Sequence, residues 1–138
     1  MSRKDLFHDL VKQALSQSGW VITDDPLYLS IGNVNIQIDL AAEPLIAAEK
    51  EGQKIAIEVK SFVSISQITS FYGALGQYLT YQAALKLQEP DRQLYLAIPT
   101  TTYESLFQEI LIQAVLNDYP IKLIVYDKVS QEIEAWID

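Results

Sequence analysis

The chain has 138 residues, of which 49% are hydrophobic, enough for a single domain to bury a core without disulfides or a structural metal. It contains no cysteine, which excludes zinc fingers, iron–sulfur clusters, thiol nucleophiles and disulfides together and fits a reducing compartment. The formal net charge of −8 runs against a general nucleic-acid binder, whose affinity comes largely from neutralising phosphates.

The charge is unevenly distributed. After Lys86 only Arg92, Lys122 and Lys128 are basic, against nine acidic residues from Glu89 to Asp138. The N-terminal stretch from Met1 to Leu15 is interrupted by Asp5, His8, Asp9 and Lys12, so it lacks the apolar core of a signal peptide. No apolar run approaches the length of a membrane span. These features predict a cytoplasmic protein with no membrane partner. Without a linker, repeat or low-complexity block, residues 1–138 read as one domain.

In chain order, Lys4 to Ser18 reads as a helix, with Leu6, Phe7, Leu10, Val11, Ala14 and Leu15 at helical spacing and Gly19 as its stop. Trp20-Val21-Ile22 is a short extended piece, Asp24-Asp25-Pro26 a turn, Leu27 to Ile31 a strand, and Gly32-Asn33 a tight reversal. Val34 to Leu40 alternates: Val34, Ile36, Ile38 and Leu40 share one face, and Asn35, Gln37 and Asp39 the other. Leu45 to Glu49 is short and apolar, and Lys50 to Gln53 suits a hairpin turn. Lys54 to Lys60 alternates again, with Ile55, Ile57 and Val59 opposed to Ala56, Glu58 and Lys60.

A long helix is expected from about Ser66 to Leu87, capped by Ser64 or Ser66, with Ile68, Tyr72, Leu75, Leu79 and Ala83 as its apolar stripe. Leu94 to Ile98 is a strand stopped by Pro99. Tyr103 to Leu116 predicts a second amphipathic helix, capped by Thr101 or Thr102. Ile121 to Tyr126 and Glu132 to Ile137 close the chain as a hairpin. The order gives a mixed sheet flanked by helices, an α/β (α+β) fold.

The segment richest in chemistry runs from Ile38 to Lys60. Glu58 and Lys60 project from one face of a strand about 7 Å apart. Asp39 sits on the polar face of a strand read as its neighbour. Two carboxylates and a lysine can then converge at a sheet edge. Carboxylate and carbonyl oxygens suit Mg²⁺, and an ion there would polarise a phosphodiester and acidify an attacking water. The competing reading is structural, because Glu and Lys at i, i+2 are common on the solvent face of an antiparallel strand. No Gly-rich phosphate loop and no Ser–His–Asp pattern is present, so a nucleotide or serine hydrolase has little support.

Asp39 followed by Glu58-Val59-Lys60 resembles the PD-(D/E)xK signature of restriction endonucleases, resolvases and repair nucleases, with Ile38 in place of the proline. Gln77-x-x-x-Tyr81 resembles the helix motif of their RecB-type branch. Over nearly its whole length the chain resembles the XisH family, the fdxN element excision controlling factors. The carrying segments are Lys4-Asp5-Leu6-Phe7-His8, Ile38-Asp39-Leu40-Ala41-Ala42-Glu43, Ile55 to Phe62, Ala74-Leu75-Gly76-Gln77-Tyr78 and Lys122-Leu123-Ile124-Val125-Tyr126.

The resemblance implies a restriction-endonuclease-like core and a role in programmed excision of a DNA element, beside a recombinase and an XisI-like companion. The nuclease signature implies that Asp39, Glu58 and the Val59 carbonyl hold Mg²⁺ or Mn²⁺, that Lys60 acts on water or phosphate, and that Gln77 steadies the site; the XisH resemblance does not itself imply that the chain cuts DNA. Asp5 or Asp9 would supply the first-helix acid. His8, Glu43 and Tyr81 are candidate supporting residues. Two readings follow: a metal-dependent endonuclease acting on DNA, favoured by the retained site residues, and a catalytically inactive interaction module, favoured by the acidic charge. The eight tyrosines read as core or interface packing rather than a base-stacking surface, with Tyr72 and Tyr78 as candidates for a homodimer contact.

Overall fold

The computed structural model describes residues 3–35 and 45–138. Helix α1 spans Arg3–Gln17 and is followed by strand β1, Val21–Leu27. A small hairpin, β2 (Ser30–Ile31) and β3 (Val34–Asn35), comes next, then β4 (Leu45–Lys50) and β5 (Gln53–Val59). Helix α2, Gln67–Gln88, crosses over to β6, Arg92–Pro99. Helix α3 (Thr100–Glu104), a 3₁₀ turn (Leu106–Gln108) and helix α4 (Ile110–Asp118) lead to β7 (Leu123–Asp127) and β8 (Glu132–Ile137).

Six strands form one mixed sheet in the order β1-β4-β5-β6-β7-β8. The β5–β6 and β6–β7 pairs are parallel, and the others are antiparallel. The expected α/β mixed sheet flanked by helices is therefore the observed one. Each parallel pair needs a helical crossover, which α2 supplies for the first and α3 with α4 for the second. Central β5 is buried on both faces from Ile55 to Val59, as strands covered on both sides are.

Two cores lie on opposite faces of the sheet. Ile55, Ile57 and Val59 pack with Phe7, Val11 and Leu15 of α1. Ala56, Leu94, Leu96 and Ile98 pack under α2, with Phe71, Tyr78 and Tyr81 from that helix and Phe107 and Ile112 beyond it. Ser66 caps α2, its hydroxyl accepting from the Thr69 amide at 3.4 Å.

Several expected elements differ. Asp24-Asp25-Pro26 is not a free turn: it lies within β1, where the register to β4 shifts on either side of Asp24. The strand expected from Leu27 to Ile31 is split between the end of β1 and β2. The described start of the alternating 34–40 segment, Val34-Asn35, pairs with β2 in a separate two-stranded sheet. The neighbours of β5 are β4 and β6.

In place of the single helix expected over 103–116 stand three pieces, whose buried residues Thr102, Phe107 and Ile112 are five apart. That spacing wanders off one helical stripe, and the 3₁₀ turn re-aims Phe107 inward. The expected caps Thr101 and Thr102 make no such bond, Pro99 being the N-cap residue.

Ile68, Leu75 and Leu79 of the expected α2 stripe pack at the edge of the core, but the centre of the buried side is rotated from it. Phe71, Ala74, Tyr78, Tyr81, Ala84 and Leu85 are buried, while Tyr72 is 62% exposed and Ala83 is exposed. Most of the helix circumference is apolar, so periodicity alone does not select the inward side. Tyr78 consequently lies in the core and is unavailable for a subunit contact.

Candidate functional site

The site is built at the carboxyl end of β5. Glu58 shares the side of Ala56, so the pleat turns it toward α2, where it is fully buried. This removes the solvent-face reading of Glu58-x-Lys60. Lys60 Nζ stands 3.5 Å from Glu58 Oε1, with the lysine side chain only 15% exposed. A sealed carboxylate carries a large desolvation cost that a nearby ammonium partly offsets.

The Glu58 charge is felt across the core. Tyr78 is held above the ordinary phenol range, first by burial and then by Glu58, against a lowering contribution from the Lys122 amide. The Tyr78 hydroxyl donates to the Leu94 carbonyl at 3.0 Å and accepts from the Lys122 amide at 3.1 Å. That pair of bonds fixes α2 against β6 and the entry to β7.

The Lys60 backbone is held from two sides. Its amide donates to the Ala97 carbonyl at 2.9 Å, and its carbonyl accepts from the Tyr126 hydroxyl at 3.2 Å. The chain then reverses at Phe62, whose φ of 54° is in the left-handed region, unusual for a bulky residue. Burial offsets that conformation: Phe62 meets Phe107 edge to face at 5.9 Å, and Phe107 meets Phe71 at 5.6 Å. The loop leaving the site is thus anchored to α2 and the 3₁₀ turn. Tyr126 and Phe62 were not foreseen as site supports. Their contacts span long sequence separations, and no local pattern marks them.

Gln77 lies on α2, and its Oε1 is buried without a hydrogen bond among the described residues. Tyr81, one turn on, is core. Val59 immediately follows Glu58, and its side chain packs on the α1 face. Leu45, the first residue of β4, is in register with Glu58. Asp39 and Glu43 lie outside the described residues, as does the side chain of Asp5.

On the opposite face, His8 Nε2 is 2.7 Å from Asp25 Oδ1, and Lys12 Nζ is 2.8 Å from Asp25 Oδ2. Burial alone would raise the Asp25 carboxyl, but the hydrogen bonds from Lys12 and His8 prevail and hold it below the usual carboxylate value. Asp9 acts on this cluster by raising the pKa of Lys12. His8 is thus committed to Asp25 of β1, and no ion pair joins it to Glu58 among the described residues. No group of three or more metal-binding side chains is found among the described residues.

The fold and site define an α/β protein whose central strand carries a sealed carboxylate–lysine pair to the ends of its parallel strands, the usual location of ligand sites in such sheets. The XisH protein family model matches residues 1–134. An fdxN element excision controlling factor from Anabaena variabilis has a crystal structure with TM-score 0.89, 48% identity and coverage of 97% of this chain and 99% of that one. An XisH family protein from Nostoc punctiforme has TM-score 0.90, 45% identity and coverage of 97% and 100% respectively. No match was found among curated proteins. The chain belongs to the XisH family. No helix among the described residues is long and apolar enough to cross a membrane.

Proposed function

We propose that this XisH protein acts on DNA during programmed element excision, using a restriction-endonuclease-like PD-(D/E)xK site that hydrolyses phosphodiesters with Mg²⁺ or Mn²⁺. The observation that carries this reading is the buried Glu58 paired with Lys60 at 3.5 Å. A fold gains little from sealing such a pair, since apolar residues of similar volume serve stability as well or better. A site that must hold a cation and handle phosphate has a use for both groups.

The donor chemistry fits the ion. Glu58 and the Val59 carbonyl are oxygen donors, the class Mg²⁺ prefers, and Asp39 would complete the set. When bound, the ion supplies phosphodiester polarisation and a more acidic water. Lys60, pinned through its backbone by Ala97 and Tyr126, orients that water or meets charge building on the phosphate. Gln77 presents a buried carbonyl oxygen from α2, suited to steadying the site or the substrate strand.

Calorimetric titration of Mg²⁺ and Mn²⁺ into wild type and Glu58→Ala tests the reading, with cleavage assays on duplex, single-stranded and branched DNA in the same buffers. Metal binding and cleavage that both vanish in the mutant are the expected result. A folded wild type that binds no metal and cuts no substrate sinks it.

The net charge of −8 favours a second reading, in which the same fold acts without catalysis through protein contacts, with an XisI-like companion or a recombinase as its partner. A pull-down with each partner that survives Glu58→Ala, beside an inert DNA assay, selects that reading. Sedimentation of the protein alone distinguishes a homodimer from a monomer in either case.

A further inference from the structure

Among the described residues, one 15-residue helix packs on the α1 face of the six-stranded sheet, and β5 and β6 begin at Gln53 and Arg92. There a groove of about 650 Å³ opens, within the range of small-ligand sites. Its apolar wall is aromatic. Trp20 stacks on Trp136 at 5.6 Å, and Tyr95 meets Trp136 edge to face at 5.2 Å. Its polar groups are chemically distinct from one another. Lys122 Nζ lies 5.9 Å from the Tyr95 ring centroid and bonds Gln93 Oε1. Asp138 Oδ1 accepts the Tyr95 hydroxyl at 2.8 Å.

Lys122 is the informative member. It is half-buried and is held by a neutral amide and a ring face. No carboxylate pairs with it among the described residues, whereas Lys54 beside it is paired with Asp91 at 3.4 Å. A half-buried ammonium without a counter-charge calls for an anion. The aromatic wall calls for a planar apolar body. Asp138 retains lone pairs beyond its tyrosine bond and, as a carboxylate, accepts from ring or exocyclic N–H groups.

We propose that this groove is a binding site for a nucleoside monophosphate, with the base against the Trp–Tyr wall and donating to Asp138, and the phosphate on Lys122. The site is separate from the Glu58–Lys60 pair, which lies at the opposite ends of the strands. A groove of about 650 Å³ with one lysine ammonium free of a carboxylate partner among the described residues suits a single nucleotide with a single phosphate.

The two tryptophans of the chain both line this groove, so their emission and near-ultraviolet circular dichroism report on it alone. Titration of the full chain with AMP, GMP, CMP and UMP, with calorimetry alongside, is compared with the free nucleosides and ribose 5-phosphate. At least one monophosphate should give a saturable signal, and its nucleoside and ribose 5-phosphate should each bind at least about tenfold more weakly. Lys122→Met keeps an unbranched side chain of similar length and removes the charge, and should weaken binding by about tenfold or more. Glu58→Ala should leave it unchanged, which separates failure here from failure of the nuclease site. The proposal is overturned if no monophosphate binds by either method, if folded Lys122→Met binds as well as wild type, or if only a single-stranded oligonucleotide binds.

Discussion

The two faces of the sheet are closed to different degrees, and the difference shows what each charged group is for. Under α2 and the α3–α4 connection, the core is continuous and closed by three phenylalanines meeting edge to face. It nevertheless contains a carboxylate. Under α1 the core is smaller, its charged residues stay near the rim, and the groove at its open end keeps lysine and aspartate partly wetted. Charge at a rim costs less than charge in a core, so weaker partners can hold it, as Gln93 and the Tyr95 ring hold Lys122. Charge in the sealed face needs either a counter-charge or a task, and Lys60 supplies the first.

The largest expected effect tests how firmly the sealed face is closed. Phe107 contacts both Phe62, in the loop after the site, and Phe71, on α2. Phe107→Ala should cost about 4 kcal/mol of stability by leaving a cavity, measured by urea unfolding. A loss below about 1 kcal/mol would mean that the 3₁₀ turn is not packed as described.

The next effect tests the charge inside that face. Lys60→Met removes the ammonium 3.5 Å from the buried carboxylate and should cost about 3 kcal/mol, because Glu58 then stays sealed without its lysine. Adding Glu58→Leu to Lys60→Met should recover stability to within about 1 kcal/mol of wild type, since apolar replacement of a buried pair is commonly neutral. A double mutant no more stable than Lys60→Met would show that the pair is not what limits that core.

The sheet was legible in the sequence where one face alternates or a run is short and bounded. Ile55, Ile57 and Val59 do oppose Ala56 and Glu58, Ser66 caps α2, and the final hairpin falls at β7 and β8. Legibility failed where the tertiary environment decides. α2 is apolar on too many sides for its pattern to choose between Tyr72 and Tyr78. The buried residues at 102, 107 and 112 fit no helical stripe. Burial of Glu58 follows from α2 lying over β5, and alternation alone cannot distinguish that from a solvent face. The groove is further from reach: Trp20, Tyr95, Lys122 and Asp138 are scattered along the chain and meet only after the sheet forms.

The smallest effect belongs to the rim of the other face, where Asp25 accepts from both His8 and Lys12. Asp25 is held below its ordinary 3.8, so the folded state binds fewer protons there than the unfolded state. Its contribution is present above that ordinary value and lost as pH falls through the lower folded value. Lys12 is raised above 10.5, chiefly by its bond to Asp25, so its contribution is present below 10.5 and lost as pH rises through the higher folded value. Asp25→Asn should therefore cost about 1 kcal/mol near neutral pH and flatten the stability profile at both its acid and alkaline ends. Urea midpoints across pH would show this as a wild-type advantage confined to the middle of the range. An advantage that persisted undiminished well below pH 3.8 would mean that Asp25 supports β1 by its shape and not by its charge.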